Sequence, residues 1–255
     1  MAGDDAIDLY HETHGDGPTL VLLHGALGTI ESCFAGLLPV LAARHRVIAV
    51  ELQAHGHTPD VPGRPLTYPG MAEDVAALIR RLDLGPTDVV GYSMGGAIGI
   101  QLAVRHPDLV RRVVAAGGIC YRPDGLHPEL AAAFADGPPP DLAGTPWHEA
   151  YVAVAPDPAG WDTLVEKVND LDRHFAGWTA DEVAAIAAPA LLIIGDADIV
   201  RPAHTVEMFE LMGGGVLGDL AGVPPTHLAV LPGTTHVGML ERVDWLGSMI
   251  TGFLA

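Results

Sequence analysis

Six short runs of apolar, strand-forming residues mark the chain: Thr19–Leu23, Arg46–Val50, Asp88–Gly91, Val110–Ala115, Ala190–Ile194 and His227–Leu231. They are continuous rather than alternating, which predicts strands buried on both faces, as in a parallel sheet. Between them, helical patterns run over about 31–44, 71–84, 94–106, 203–211 and 238–254. In the second, Val75, Leu78, Ile79 and Leu82 share one face while Glu73, Asp74, Arg80 and Arg81 take the other, the pattern of a helix laid on a core. Tyr68-Pro69-Gly70 and Asp83-Leu84-Gly85-Pro86 punctuate its ends. Strand and helix therefore alternate, which predicts an α/β fold: a mostly parallel central sheet covered by helices on both faces.

The rhythm breaks between Ile119 and Ala188. Three of the four tryptophans (Trp147, Trp161, Trp178) lie there, with Pro138-Pro139-Pro140 and Ala155-Pro156-Asp157-Pro158, and no convincing strand. So long a loop without structure is uncommon in a compact domain. The expectation is a small helical cap over 119–188, inserted into a core formed by 1–118 and 189–255.

Composition narrows the setting. At 255 residues and 49% hydrophobic, the chain has enough apolar surface for one sizeable core with an insertion. No apolar run reaches the 18 or so residues of a transmembrane helix, and Met1–Asp5 has no basic, then apolar, leader pattern. A cytoplasmic protein is expected. The net charge is −19 and the single lysine is Lys167. Such a surface repels phosphate backbones and anionic membranes, so neither nucleic acid nor membrane is an expected partner. Cys33 and Cys120 form no zinc spacing and no disulfide framework, and read as free thiols.

The strongest chemical signal is Gly91-Tyr92-Ser93-Met94-Gly95, followed by Gly96. It matches G-x-S-x-G, a tight strand-to-helix turn that exposes a serine hydroxyl. The flanks agree: Asp88–Gly91 supplies the strand and 96–106 the helix. With only three serines in the chain (Ser32, Ser93, Ser248), chance is a poor rival. The competing reading is an ordinary glycine-rich βα turn.

A serine hydroxyl needs an adjacent base to act as a nucleophile near neutral pH. Among thirteen histidines, His236 follows the strand-like His227–Leu231 and precedes the last helix. In a parallel sheet that loop lies on the same edge as the turn carrying Ser93. The orienting acid is expected from another loop on this edge, where Asp196 and Asp198 follow Ala190–Ile194. Asp198, further from the strand, can turn toward the histidine; Asp196 is better placed to cap the turn.

The order Ser93…Asp198…His236, the GYSMGG turn, Leu23-His24-Gly25 and Gly195–Pro202 together resemble the α/β-hydrolase fold family. The resemblance spans nearly the whole chain except the insertion. It implies that Asp198, the Asp of a G-x-x-D pattern, is the acid. It also implies an oxyanion hole from the backbone N–H groups of Ala26 and Met94, aimed at the charge that develops in a tetrahedral intermediate. His24 reads as a histidine ordering the oxyanion loop rather than a second base. Glu51–Thr58 resembles a family loop of form D-x-R-G-x-G-x-S, with Glu for Asp, Gln-Ala for Arg-Gly and Thr for Ser. His55 and His57 form an H-x-H pair there, but no third metal ligand is visible at useful spacing.

The implied activity is ester hydrolysis through an acyl-enzyme on Ser93, with no metal or organic cofactor and a small ester-like molecule as substrate. Tyr121, Trp147, Trp178 and Met239 are expected at the substrate pocket. Lactonase, thioesterase, amidase, carbon–carbon bond hydrolase and perhydrolase share the triad and stay open. Epoxide hydrolases and haloalkane dehalogenases of this fold use Asp where Ser93 stands. A small-molecule receptor on the same fold is the alternative from outside enzymology.

Overall fold

The computed structural model describes residues 6–255; Met1–Asp5, read above for a leader, lies outside them. Seven strands form one sheet: β1 (His11–His14), β2 (Thr19–Leu23), β3 (Arg46–Val50), β4 (Thr87–Tyr92), β5 (Val110–Ala116), β6 (Ala190–Ala197) and β7 (Thr226–Thr235). Their order is β1-β3-β2-β4-β5-β6-β7, with β1 antiparallel to β3 and every other pairing parallel.

The helices are α1 (Ile30–Phe34), α2 (Leu37–Ala42), α3 (Tyr68–Arg81), α4 (Met94–Arg105), α5 (Pro128–Asp136), α6 (Pro146–Val154), α7 (Trp161–Arg173), α8 (Ala180–Ala184), α9 (Pro202–Leu211), α10 (Gly218–Ala221) and α11 (Val243–Phe253). Alternate strand residues feed two cores. Val21, Leu23, Ile48, Val50 and Val89 face α3 and α4 on one side. Leu20, Leu22, Val47, Ala49 and Val90 face α1, α2 and α11 on the other. Both faces are therefore dry, which is why the strands read as unbroken apolar runs.

The differences from the sequence expectation have local causes. β1 is a short polar edge strand, His-Glu-Thr-His, whose only sheet signal is its pairing with β3. The single helix expected over 31–44 is two, α1 and α2. Thr29 and Ser32 close a capping box at the start of α1, and the break at Ala35-Gly36 admits Val243 from the start of α11. α3 begins three residues early because Thr67 caps it by accepting the Gly70 N–H. Pro69 fits in that first turn, where no N–H is needed. The last segment is a 3₁₀ turn at Val237–Glu241 and then α11, rather than one helix.

Between β5 and β6 the chain is helical, with α5–α8 and no named strand. Lys167 on α7 fastens this segment to the loop after β3. Its Nζ donates to both carboxylate oxygens of Asp60, at 2.6 and 2.7 Å, and to the carbonyls of Val61 and Arg64. The chain's single lysine thus ties two separate parts of the fold together.

Candidate active site

The strand order reverses around β2: β3 lies on one side of it and β4 on the other. Loops leaving adjacent parallel strands diverge at such a point and open a crevice at the carboxyl edge of the sheet. The loop after β2 carries Ala26, and the turn after β4 carries Ser93. The loops after β6 and β7 bring Asp198 and His236 to the same edge.

Ser93 is the one residue between β4 and α4, and its backbone sits at φ 53°, ψ −120°. For a residue with a side chain this conformation costs about 1–3 kcal/mol. The turn is too tight for side chains beside it. A Cβ on Gly91 would lie 2.2 Å from the Gly95 carbonyl oxygen, and one on Gly95 2.2 Å from that of Leu23. The Ser93 N–H donates to the Ala116 carbonyl at 2.7 Å, which anchors the turn to β5.

His236 Nε2 lies 2.9 Å from Ser93 Oγ, and His236 Nδ1 lies 2.8 Å from Asp198 Oδ1. The Tyr92 hydroxyl donates to the His236 carbonyl at 2.9 Å, so the residue before the serine also holds the histidine's backbone. Asp198 is 3% exposed. Its Oδ2 is buried without a partner, so His236 is its one short hydrogen bond. Gly118, at φ +53°, passes so close that a Cβ there would sit 2.9 Å from Asp198 Oδ1. Asp196 is exposed and accepts the Thr234 N–H at 3.1 Å, capping the turn in β7. Backbone N–H groups of Gly233 and Thr234 hold its carboxyl below the usual range. The structure brings Asp198, and not Asp196, to the histidine.

The backbone N–H groups of Ala26 and Met94 make no hydrogen bond to protein among the described residues, and both residues line the cavity that Ser93 faces. Two fully buried histidines shape the loop carrying Ala26. His24 accepts the Leu52 N–H at Nε2, and its Nδ1 lies 2.7 Å from the Gly25 carbonyl. His55 accepts the Leu27 N–H at Nε2, and its Nδ1 lies 2.8 Å from the Gln53 carbonyl. Leu27 itself is at φ 60°, so the loop is bent and then pinned. His57 turns elsewhere, with Nδ1 2.9 Å from Glu51 Oε2. The H-x-H pair thus splits between two tasks, and among the described residues no group of His, Cys, Asp or Glu is placed to hold a metal. The departures from the family loop are packing substitutions: Glu51 accepts from the Ile30 and His57 N–H groups, and Gln53 from Arg64.

Burial, and then the neighbouring His24, push the His55 imidazole down to about 3; burial lowers His24 as well. The folded state keeps His55 neutral where the unfolded chain, near 6.5, takes up a proton. Stability tied to this ring is complete above the unfolded value and drains away as pH falls toward about 3. Urea unfolding at pH 7 and pH 5 is expected to show a loss of ~2 kcal/mol from this ring. The loss should be largely absent in His55→Gln.

A cavity of about 530 Å³ opens beside Ser93 and His236. Its walls come from the sheet edge and from the helical segment, including Leu130, Phe134, Trp147 and Phe175. Trp147 is on the wall, and so is Met94. Tyr121, Trp178 and Met239 are not. Tyr121 is fully buried, stacked on His204, with its hydroxyl donating to Glu207. Trp178 packs edge-on behind Tyr68 and Phe175, which take the wall positions. Met239 is buried in the core beneath α11, and its neighbour Leu240 faces the cavity instead. Proximity in sequence could not tell which side of a 3₁₀ turn looks inward. Tyr68, Asn169 and Asp172 line the cavity without having been anticipated. The signal was present in α7, where Val165, Val168, Asn169 and Asp172 share one face at helical spacing.

Known proteins carry the same architecture. The alpha/beta hydrolase fold family profile matches residues 18–167. The magnesium-chelatase 30 kDa subunit of Rhodobacter capsulatus is 32% identical, over 91% of this chain and 87% of that protein. A pimeloyl-[acyl-carrier protein] methyl ester esterase of Neisseria meningitidis is 31% identical, over 91% of each chain. Among solved structures, a serine hydrolase involved in carbazole degradation superposes with a TM-score of 0.73 at 22% identity, covering 96% of this chain and 94% of that one; at that identity it speaks for the fold. The chain belongs to the alpha/beta hydrolase fold family and is a hydrolase. Among the described residues no helix is long and apolar enough to cross a membrane.

Proposed function

We propose that this hydrolase cleaves a carboxylic ester of a small molecule through an acyl-enzyme on Ser93. The observation that carries the reading is the hydrogen-bonded line Asp198–His236–Ser93, ending at a cavity lined by Ala26 and Met94, whose backbone N–H groups have no protein partner among the described residues. Ser93 Oγ adds to the ester carbonyl carbon while His236 Nε2 takes the hydroxyl proton. The carbonyl oxygen, now charged, accepts from the N–H groups of Ala26 and Met94. His236 then returns the proton to the departing alkoxide as the carbon–oxygen bond breaks. Water enters, gives a proton to His236 and adds to the acyl group; collapse releases the acid and restores Ser93. Asp198 keeps the imidazole proton on Nδ1 and stabilises the imidazolium between the steps.

The helical segment 119–188 acts as the cap over this site, and the apolar wall it supplies suits an uncharged acyl or alcohol group. The similar Neisseria protein is named for a methyl ester, which supports ester over amide chemistry. A fluorophosphonate probe tests the reading. Rapid, stoichiometric labelling that maps by mass spectrometry to Ser93 is expected, and an unlabelled, folded chain overturns it.

A further inference from the structure

Away from Ser93 and His236, the cavity's polar groups gather in one place. On its α7 side, Asn169 and Asp172 stand one helical turn apart on the wall, with the Tyr68 hydroxyl-bearing ring beside them. Asn169 is 6% exposed, and its amide nitrogen is buried without a hydrogen-bond partner. Neither the Asp172 carboxyl nor the Tyr68 hydroxyl makes a hydrogen bond among the described residues, although Tyr68 packs edge-on against Phe175 at 5.4 Å. No lysine or arginine lines the cavity to pair with Asp172. None of these groups takes part in the chemistry assigned to Ser93, His236 and Asp198.

Leaving a buried polar group unpaired is costly, so the buried Asn169 amide, with two further polar groups beside it that lack protein partners, calls for something that pairs with it. The amide nitrogen of Asn169 can only donate. A carboxyl and a phenol can each donate or accept, according to the carboxyl's protonation. Burial pushes the Asp172 carboxyl up to about 7, so near neutral pH it is available in either form. The same charge, behind the effect of burial itself, helps to raise the Tyr68 phenol, which places the two groups within each other's field. A group that both accepts from Asn169 and donates to Asp172 fits all three. An ammonium ion would leave the Asn169 donor unpaired, and a carboxylate would be repelled by the ionised form of Asp172.

We propose that Tyr68, Asn169 and Asp172 form a specificity subsite for a hydroxyl group carried by the substrate away from its scissile bond. The inference rests on this cavity being the substrate site served by Ser93. It narrows the substrate class from simple esters to hydroxylated ones. Discrimination of this kind is strong, because an analogue with a methyl in place of the hydroxyl leaves the protein's own polar groups unpaired.

The test uses methyl esters of ω-hydroxy acids and acetate esters of alkanediols over a graded series of chain lengths. Each is paired with the analogue bearing a methyl and the analogue bearing an amine in place of the hydroxyl. In one of the two series, the hydroxylated ester is expected to exceed its methyl partner in kcat/KM by roughly tenfold or more at the matching length, mainly through KM. Asn169→Leu and Asp172→Leu should each collapse that ratio, which is independent of the fraction of folded enzyme. Equal ratios in wild type and variants, a preference for the methyl partners, or a preference for the amines overturns the subsite. Calorimetry on Ser93→Ala separates this inference from the catalytic one. Alkanols are expected to bind at least roughly tenfold tighter than chloroalkanes of equal length, and equal binding overturns the subsite. If wild type cleaves none of the esters, the acyl-transfer reading fails and the binding comparison alone decides the subsite.

Discussion

Ser93→Ala is expected to reduce ester hydrolysis by several orders of magnitude while leaving the fold intact. Removing the nucleophile of a Ser–His–Asp triad typically lowers kcat on the order of 10⁶-fold, down to a residue of catalysis supplied by the oxyanion donors and by binding. Here the side chain has one hydrogen bond to lose, the 2.9 Å contact with His236 Nε2. The strain at φ 53° belongs to the backbone and is kept by alanine, while Gly91 and Gly95 continue to give the turn its room. Initial rates on a p-nitrophenyl ester, with thermal melts of both proteins, check this. Activity within tenfold of wild type would remove Ser93 from the chemistry. A collapsed melting temperature would instead mean that the hydroxyl is structural.

Asp198→Asn is expected to separate activity from stability. The carboxylate accepts from His236 Nδ1–H, and this keeps Nε2 free to take the Ser93 proton. An amide presenting its NH₂ to Nδ1 favours the other tautomer, in which Nε2 already carries a proton and cannot act as the base. The expected fall in kcat is on the order of 10⁴. Stability should hold or rise, because Asp198 is buried with one carboxylate oxygen unpartnered and a neutral side chain is less costly to bury there. The checks are kcat and the urea midpoint measured together. Undiminished kcat would return the acid's role to another group. Asp196→Asn serves as the contrast: its carboxyl caps a turn with Thr234, so that variant should change kcat little.

Much of this site could be read before any coordinates. The serine turn was visible because its chemistry and its backbone demand the same local residues, glycines flanking a serine between a strand and a helix. His236 and Asp198 were reachable through topology, since loops leaving parallel strands meet at one edge whatever their separation along the chain. The pocket was less legible. Four residues were expected on it and only Trp147 faces it. Aromatic content marks what is buried, whereas the side of a helix or turn that faces a cavity depends on what packs behind it. Trp178 and Tyr121 became supports for the wall and its neighbourhood, with Tyr68 and Phe175 exposed to the cavity in place of Trp178. His55 was equally hidden: its role is to accept one N–H from Leu27, a contact between residues 28 positions apart.

Local rules and periodicity thus determined the alternation of strand and helix, the tight turn at Ser93 and the order of the three residues expected to act with it. These depend on short-range sterics and on apolar patterning, both written in adjacent residues. Tertiary structure alone decided which histidines pin the loop of Ala26, which aromatic side chains face the cavity, and which polar groups of α7 stand there. Each of those depends on packing between segments tens of residues or more apart rather than on any local preference.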